Sequence, residues 1–406
     1  MRTVLVALLA WSVAAPAQNV EYRNGKWFDG ARFRDTVMFA SGGVFRAKGT
    51  TTADSIVDLG GGYVVPPFGD AHQHLVDPNA SVTNATYLRD GIFYVMDQSN
   101  SPLLRPALDA VLNKPTSFDF ISAHQGWTSP AGHPVEVIKR APQMMPGPIA
   151  DLVRDSLDPG MVMQVDTRDD IERRWAYFLK GRPDFVKVYL LQSDRHAAMR
   201  NDARMEGNRG IDPALVPELV TRAHAAGLRV SAHVFTAADF RAAVTGGVDI
   251  IAHIPGGRNS NPAPFLLTDD DAKQAAARNV TVITTVAQQR DSAITDQLLA
   301  SQLGPNITVL RRNGVKLVIG SDLFPATAAV EIAALMRSKL FTNLELLRLW
   351  SVATPQLIFP QRRIGEFREG FEASFLVLRG DPLSDFRNTG AIAMRVKRGR
   401  LLGPPR

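Results

Sequence analysis

The chain has 406 residues, a formal net charge of +6 at pH 7 and no cysteine. A chain of this length can bury a large core without disulfides. The lack of cysteine excludes thiolate zinc sites, so a metal ion must be held by His, Asp, Glu or a modified Lys. The excess of positive charge is small and dispersed, which argues against a nucleic-acid partner.

The first 17 residues have the layout of a secretory signal peptide. Arg2 precedes an apolar stretch from Val4 to Ala14, and a small-x-small sequence, APA, follows at 15–17. The apolar stretch is too short for a permanent transmembrane helix; a buried N-terminal helix is the alternative. We therefore predict a signal peptide over residues 1–17. The mature protein is expected to be exported, periplasmic or secreted, without stable membrane insertion.

Both ends of the mature chain contain short β-like runs. GKWFDG, TVMFASGGVFRA and SIVDLGGGYVV lie near the N-terminus, and ASFLVLRGDPL and AIAMRVKRGRLLG lie near the C-terminus. These runs predict a small composite β-sandwich domain built from residues 18–65 and 365–406.

The sequence GDAHQHL, at 69–75, places two histidines around one glutamine directly after the apolar run YVVPP. In a strand, residues i and i+2 point to the same side. His72 and His74 would therefore project together, as two ligands of one ion do. The alternative is a pair of surface or loop histidines.

From Asp90 onward, apolar β-rich runs that end in a polar residue alternate with helical patterns. With the strand before His72 they number eight; the later seven are DGIFYVMD, SFDFISAH, DFVKVYL, GLRVSAH, GVDIIAH, NVTVITTV and GVKLVIGSD. Eight such strands separated by helices predict an α/β fold, a (β/α)₈ TIM barrel over residues 66–364. An open doubly wound sheet is the alternative.

Polar residues at the C-terminal ends of barrel strands face a common rim. Six residues meet that description: His72, His74, Lys187, His233, His253 and Asp322. Imidazoles, a carboxylate and a lysine supply ligands for one or two divalent cations, with zinc the first expectation.

These motifs resemble the amidohydrolase superfamily of metal-dependent hydrolases over nearly the whole mature chain. The resemblance is carried by GDAHQH, DFVKVYL, RVSAHVFT, GVDIIAHIPG, VIGSD and the tail ATPQLIFPQRRIGEFREGFEASFLVLRGDPLSDF. The most similar group is that of exported imidazolonepropionase-like and Xaa-Pro dipeptidase-like enzymes.

The resemblance implies a role for each rim residue. His72 and His74 match ligands of a more buried ion, and His233 and His253 match ligands of a more exposed one. Lys187 matches a carboxylated lysine that bridges the two ions. Asp322 matches a ligand that also acts as general base. The implied reaction is hydrolysis of a C–N bond in a small amide, dipeptide or cyclic amide by a metal-bridging hydroxide.

The chemistry of Lys187 supports this role independently of the resemblance. An ammonium group would repel two cations, whereas apolar neighbours such as Val186 and Val188 favour a neutral, nucleophilic amine. Capture of CO₂ converts that amine into an anionic carbamate that can bridge two ions. A surface lysine on an ordinary strand is the alternative.

Two further residues are candidates for substrate binding. His133, in the sequence SPAGHP, occupies the place of a Gly-Gly-His loop in related dipeptidases, from which it departs, and Tyr189 shares a strand face with Lys187. Each has an ordinary structural role as its alternative. Asp70 is expected to support the site without ligating the metal. His196 and His224 are expected to be surface or packing residues, and His124 is assigned no role.

Three other functions compete with an amide hydrolase. A mononuclear deaminase or imidazolone hydrolase would not need Lys187, although the sequence HVFT offers no glutamate beside His233. A lactonase or phosphotriesterase would use the same ions on other bonds. A catalytically inactive binding relative is the third. The sequence does not specify the substrate, and it allows a homo-oligomer.

Overall fold

A computed structural model describes residues 19–47, 52–75, 79–144, 160–289 and 291–403. The predicted signal peptide lies outside the described residues, as do residues 145–159. Within the described ranges, no helix is both long and apolar enough to span a bilayer.

The described chain alternates strands and helices through its middle and is β-rich at both ends. The strands are β1 Val20–Phe28, β2 Phe33–Ser41, β3 Val44–Arg46, β4 Ser55–Asp58, β5 Tyr63–Val65, β6 Phe68–Gln73, β7 Ile92–Asp97, β8 Asp119–Ser122, β9 Gly126–Thr128, β10 Val162–Gln164, β11 Val186–Tyr189, β12 Val230–His233, β13 Ile250–Ile251, β14 Thr281–Ile283, β15 Lys316–Val318, β16 Phe375–Leu378, β17 Ile392–Lys397 and β18 Arg400–Leu401.

The helices lie between the central strands. They are α1 Ala80–Arg89, α2 Arg105–Val111, α3 Val135–Met144, α4 Arg168–Lys180, α5 His196–Met199, α6 Val216–Ala225, α7 Ala237–Gly246, α8 Asp269–Ala277, α9 Ser292–Leu298, α10 Gly304–Arg312, α11 Ala328–Ser338, α12 Asn343–Arg348 and α13 Thr354–Ile358. Two of them begin at a threonine: the hydroxyl of Thr167 caps α4 and that of Thr268 caps α8, each within a capping box.

Strands from both termini form one mixed sheet. Its order is β18-β17-β16-β5-β1-β2-β3, with β4 also paired to β1. Antiparallel pairing of β16 with β5, Leu376 opposite Val65, joins the C-terminal strands to the N-terminal ones. Trp27, Phe45 and Phe375 pack edge-on or stacked in a hydrophobic core that belongs to this sheet.

The central strands form parallel sheets. Three strands pair in the order β6-β7-β8, and seven pair in the order β10-β9-β11-β12-β13-β14-β15. Every residue of β6, β7 and β11 is buried, as expected for parallel strands covered on both faces. The predicted α/β class with a parallel sheet is therefore observed.

A closed barrel is not detected in the strand pairing of the described residues. The two parallel sheets are instead joined by individual backbone hydrogen bonds. Asp184 N donates to Ser122 O (2.9 Å) at one junction, and Ala71 N donates to Ile319 O (2.9 Å) at the other.

The structure separates the run YVVPP from the strand that carries His72. The run YVVPP does not lead into His72 as a single strand. Tyr63–Val65 is β5 of the terminal sheet, and His72 lies within a separate strand, β6. Pro66 and Pro67 separate the two, because proline cannot donate to a ladder of backbone hydrogen bonds.

Candidate metal centre

Strand β6 positions the first two histidines. His72 Nδ1 lies 2.9 Å from Ala252 O, and His74 Nδ1 lies 2.9 Å from Ser99 O. A carbonyl oxygen only accepts hydrogen bonds, so the proton of each neutral ring lies on Nδ1 and the lone pair on Nε2. The backbone carbonyl at Nδ1 thus orients each ring and leaves its Nε2 lone pair free to bind a metal ion.

Asp322 faces both of these nitrogens. Its Oδ1 lies 3.3 Å from His72 Nε2 and 3.1 Å from His74 Nε2. The residue has a left-handed backbone (φ 51°), and its N–H donates to His72 O at 2.8 Å. This bond fixes the turn after β15 against β6 and aims the carboxylate at the histidine pair.

The converging atoms are all acceptors, so they repel one another unless positive charge lies between them. A proton on His74 supplies part of this positive charge. Burial lowers the pKa of His74, but the hydrogen bond to Asp322 and the negative charge of that carboxylate have the larger effect, so the pKa is raised. Burial lowers the pKa of His72 well below its ordinary value and keeps that ring neutral. A cation among these atoms supplies the same neutralisation, so the donor set fits a divalent metal ion.

His253 completes a three-residue cluster. Single ligand atoms of His72, His253 and Asp322 all lie within 4.8 Å of one another. The ring of His253 lies 4.5 Å from that of His72, centre to centre, and its Nδ1 lies 3.0 Å from Thr285 Oγ1. Burial, with His72 as second cause, lowers the pKa of His253 well below its ordinary value and leaves a neutral ring.

Lys187 is enclosed by the strands. Its side chain is 1% exposed, and Nζ donates to Gln98 Oε1 at 3.1 Å. Burial lowers the pKa of Lys187 to about 7, while the charge of Asp322 opposes the shift. A large fraction of this amine is therefore neutral near pH 7, the form that reacts with CO₂.

His233 stands at the end of β12, on the outer side of the cluster. Its ring centre lies 4.6 Å from that of His253 and 4.7 Å from that of His133. Burial, followed by the charge of His253, lowers its pKa well below the ordinary value. This ring is likewise neutral and able to ligate.

The two candidate substrate residues lie against this outer histidine. The ring of Tyr189 lies 5.6 Å from that of His133 and 5.9 Å from that of His233. The backbone N–H of His133 donates to Arg209 O at 2.7 Å, which holds its loop against the chain after β11. All eight predicted residues thus lie in one continuous cluster.

Sequence reasoning missed three polar neighbours of the ligands. Gln98, after β7, contacts Lys187; Thr285, after β14, contacts His253; and Gln288 Nε2 donates to Asp322 Oδ2 at 2.6 Å. The sequence feature that could have identified them is their position, because each lies beyond the C-terminal end of a parallel strand, where the ligands also lie.

Asp70 has a supporting position. It is buried and accepts hydrogen bonds from the N–H (3.0 Å) and hydroxyl (2.8 Å) of Ser321 and from the N–H of His72 (3.2 Å). Burial raises its pKa to about 7. Asp70 therefore holds the backbone of His72 and that of Ser321, the residue before Asp322.

The remaining histidines have other partners. His124 is buried against Arg105 and Ser122. His224 is exposed and lies 3.0 Å from Asp249. His196 is buried on α5, so its predicted packing role fits its position.

The chain was compared with protein-family models, curated proteins and solved structures. No protein-family model matches the chain, and no curated protein matches it. Similar solved structures include the following three. An amidohydrolase matches with a TM-score of 0.73 and 20% identity over 95% of this chain and 99% of its own, and a prolidase complexed with N-methylphosphonate-L-proline matches with a TM-score of 0.72 and 18% identity over 95% and 99%. Molinate hydrolase matches with a TM-score of 0.74 and 16% identity over 96% of this chain and 95% of its own. The chain therefore has the fold of the amidohydrolases, including prolidase-like members. The resemblance inferred from the sequence motifs is confirmed at the level of the fold.

Proposed function

We propose that the protein is a metal-dependent hydrolase that cleaves the C–N bond of a small amide, dipeptide or cyclic amide. The observation that carries this proposal is the convergence of His72, His253 and Asp322 on one centre, with Lys187 buried beside them. The fold shared with amidohydrolases and a prolidase supports the same class of reaction.

The proposal includes a domain organisation. Residues 66–364 form a (β/α)₈ barrel, and residues 18–65 with 365–406 form a β-sandwich. Support comes from the hydrogen bonds that join β6–β8 to the larger parallel sheet at both of its junctions. A third bond, from Asp322 N to His72 O, connects the ends of the first and last barrel strands. Export through the segment 1–17 is part of the same proposal.

Two divalent ions, with zinc the first candidate, would be held by His72, His74, His233, His253, Asp322 and a carboxylated Lys187. When bound, such ions polarise a carbonyl group and lower the pKa of a water molecule toward neutrality. The neutral rings and the buried amine are the chemical features of the chain that support this ligand set.

Side chains of the protein carry out proton transfer and substrate binding. Asp322 accepts the proton of the attacking water and returns it to the departing amine, which a poor leaving group requires. Gln288 holds Oδ2 of this carboxylate at 2.6 Å. His133 and Tyr189, beside His233, contact the substrate on the outer side of the site.

Substitution of Asp322 by asparagine or alanine tests this assignment. A panel of Xaa-Pro dipeptides, N-acyl amino acids, cyclic amides and lactones first identifies a substrate for the wild-type protein. Loss of a general base lowers kcat by about 10²–10⁴-fold. Metal content, measured by elemental analysis, separates loss of the base from loss of the ion. Turnover that survives in a metal-loaded Asp322→Ala protein contradicts the assignment.

A mononuclear hydrolase is the second candidate. The observation that favours it is the compact His72, His253 and Asp322 cluster, which does not require Lys187. One tightly bound ion per chain, together with full activity in a Lys187→Met variant, identifies this alternative. Two ions per chain and an inactive Lys187→Met variant identify the binuclear enzyme.

A further inference from the structure

Gln98 connects strands that carry candidate ligands. Its side chain is fully buried after β7. Nε2 donates to Ala71 O on β6 at 3.0 Å, while Oε1 accepts from Lys187 Nζ at 3.1 Å and from the hydroxyl of Ser231, on β12, at 2.8 Å. The same amide thus contacts the strands of His72, Lys187 and His233.

The orientation of this amide is fixed by its partners. The carbonyl oxygen of Ala71 only accepts, so Nε2 must face β6 and Oε1 must face Lys187. Both lone pairs of Oε1 are then used, one by Lys187 and one by Ser231. Reversing the amide would leave the buried donors of Lys187 and Ser231 without an acceptor.

Carboxylation changes what the lysine nitrogen can donate. The lone pair of the neutral amine forms a bond to the carbon of dissolved CO₂, and one proton leaves the nitrogen for solvent. The carbamate that results carries one negative charge over two oxygens and retains a single N–H. Because resonance keeps the group planar, the acceptor of that N–H selects the plane in which both oxygens lie.

We propose that Gln98 is a positioning residue for Lys187: it accepts the single N–H of the carbamate and so orients the two carbamate oxygens for metal binding. This inference rests on the proposed function, since it requires that Lys187 is carboxylated. A glutamine suits the position better than a glutamate, because a carboxylate would pair with the ammonium form and repel the carbamate anion. Methionine, of similar length, would leave the N–H and the Ser231 hydroxyl without an acceptor.

The test compares carbamate formation in Gln98→Glu, Gln98→Met and wild-type protein. Each full-length protein is equilibrated with ¹³C-bicarbonate, and the carbamate resonance is measured by ¹³C NMR; Lys187→Met identifies the resonance. Gln302→Met is the matched control, because Gln302 is a buried glutamine whose amide oxygen accepts from Gly257 N and whose amide nitrogen donates to Gly257 O. We expect the resonance in wild type and Gln302→Met, and at least a tenfold loss in both Gln98 variants.

Each outcome decides the inference. Equal carbamate occupancy in wild type and in folded Gln98→Met overturns it, and so does a wild-type protein that forms no carbamate. If neither Gln98 variant folds, as judged by circular dichroism, a crystal structure of wild-type protein grown with bicarbonate replaces them. A carbamate nitrogen beyond about 3.5 Å from Gln98 Oε1 then overturns the inference, because it excludes a hydrogen bond. Loss of the carbamate in Gln98→Met, with no amide hydrolysis by wild type, upholds the inference and rejects the C–N hydrolase.

Discussion

At the scale of single residues, backbone carbonyls decide which histidine nitrogens are available to a metal. His72 and His74 carry the same side chain, yet each is oriented by a carbonyl from a different part of the chain, Ala252 and Ser99. The sequence predicted that the two rings project together. It could not predict these partners, because Ala252 is 180 positions from His72 along the chain.

Gln288 offers a test of how Asp322 is held. Its amide donates to Oδ2 at 2.6 Å, and a hydrogen bond to a charged group contributes about 1.5–3 kcal/mol. Because solvent competes for this exposed bond, we expect Gln288→Ala to lower kcat by no more than about tenfold, which corresponds to 1.4 kcal/mol, while metal content is unchanged. Gln274→Ala, which removes an exposed amide bond to Asp270, is the control and should keep full activity. Unchanged turnover in Gln288→Ala contradicts the prediction.

His124 makes stability depend on pH. Burial, with the nearby Arg105 as second cause, lowers its pKa to about 4. As pH falls from 6.5 toward 4, the unfolded chain gains a proton that the folded chain does not bind, so stability falls. We expect this loss to be on the order of 3 kcal/mol and to shrink in His124→Gln, which keeps an acceptor for Arg105. Urea unfolding across this pH range measures it. An equal slope in His124→Gln refutes the prediction.

At the scale of secondary-structure elements, a buried ion network joins the terminal sheet to the parallel strands. Lys397, on β17, is 1% exposed and lies 2.6 Å from Asp119 at the start of β8. Asp119 also pairs with Arg362 at 2.8 Å, whereas the other partners of Lys397 are the carbonyls of Lys114 and Ser117. Arg398 lies 3.5 Å from the same carboxylate, so Asp119 is the shared anion of three cations.

Because, among the described residues, Asp119 has more than one cationic partner and Lys397 has a single anionic one, we expect substitutions of these two residues to lower the free energy of unfolding by different amounts. Asp119→Asn leaves the Lys397 ammonium buried without an anion and should cost about 3–5 kcal/mol. Lys397→Met leaves Asp119 paired with Arg362 and should cost less. The free energies of unfolding in urea provide the measurement. A larger loss in Lys397→Met would show that the network is not organised around Asp119.

At the scale of the whole molecule, the candidate ligands come from widely separated strands, so a bound ion should stabilise the fold. A ligand present at 100 times its Kd contributes about 2.7 kcal/mol. Chelation of a metal-loaded preparation should therefore lower Tm by several degrees, and added zinc should restore it. The His74→Ala variant serves as the control and should show a smaller change. A Tm that is unaffected after elemental analysis has verified metal loss contradicts a metal held by the fold.

Much of the architecture could be read from local pattern. Apolar runs predicted the central strands, because strand burial depends on near neighbours in the sequence. The short strands β9 and β10 were missed, since their three residues each carry no periodic signal. The run YVVPP was expected both to end the N-terminal β-rich segment and to precede the histidine pair directly, and its apolar residues belong to the terminal sheet.

The α/β class, the β-rich ends and the residue types available to bind a metal could be predicted before the structure, because they depend on composition and on spacing along the chain. Which side chains meet depends on the three-dimensional fold. The contacts of Gln98 with Lys187 and Ser231, and of Asp322 with His72, join residues 89 to 250 positions apart. Such pairings follow from the way strands close on one another, and no local pattern encodes them.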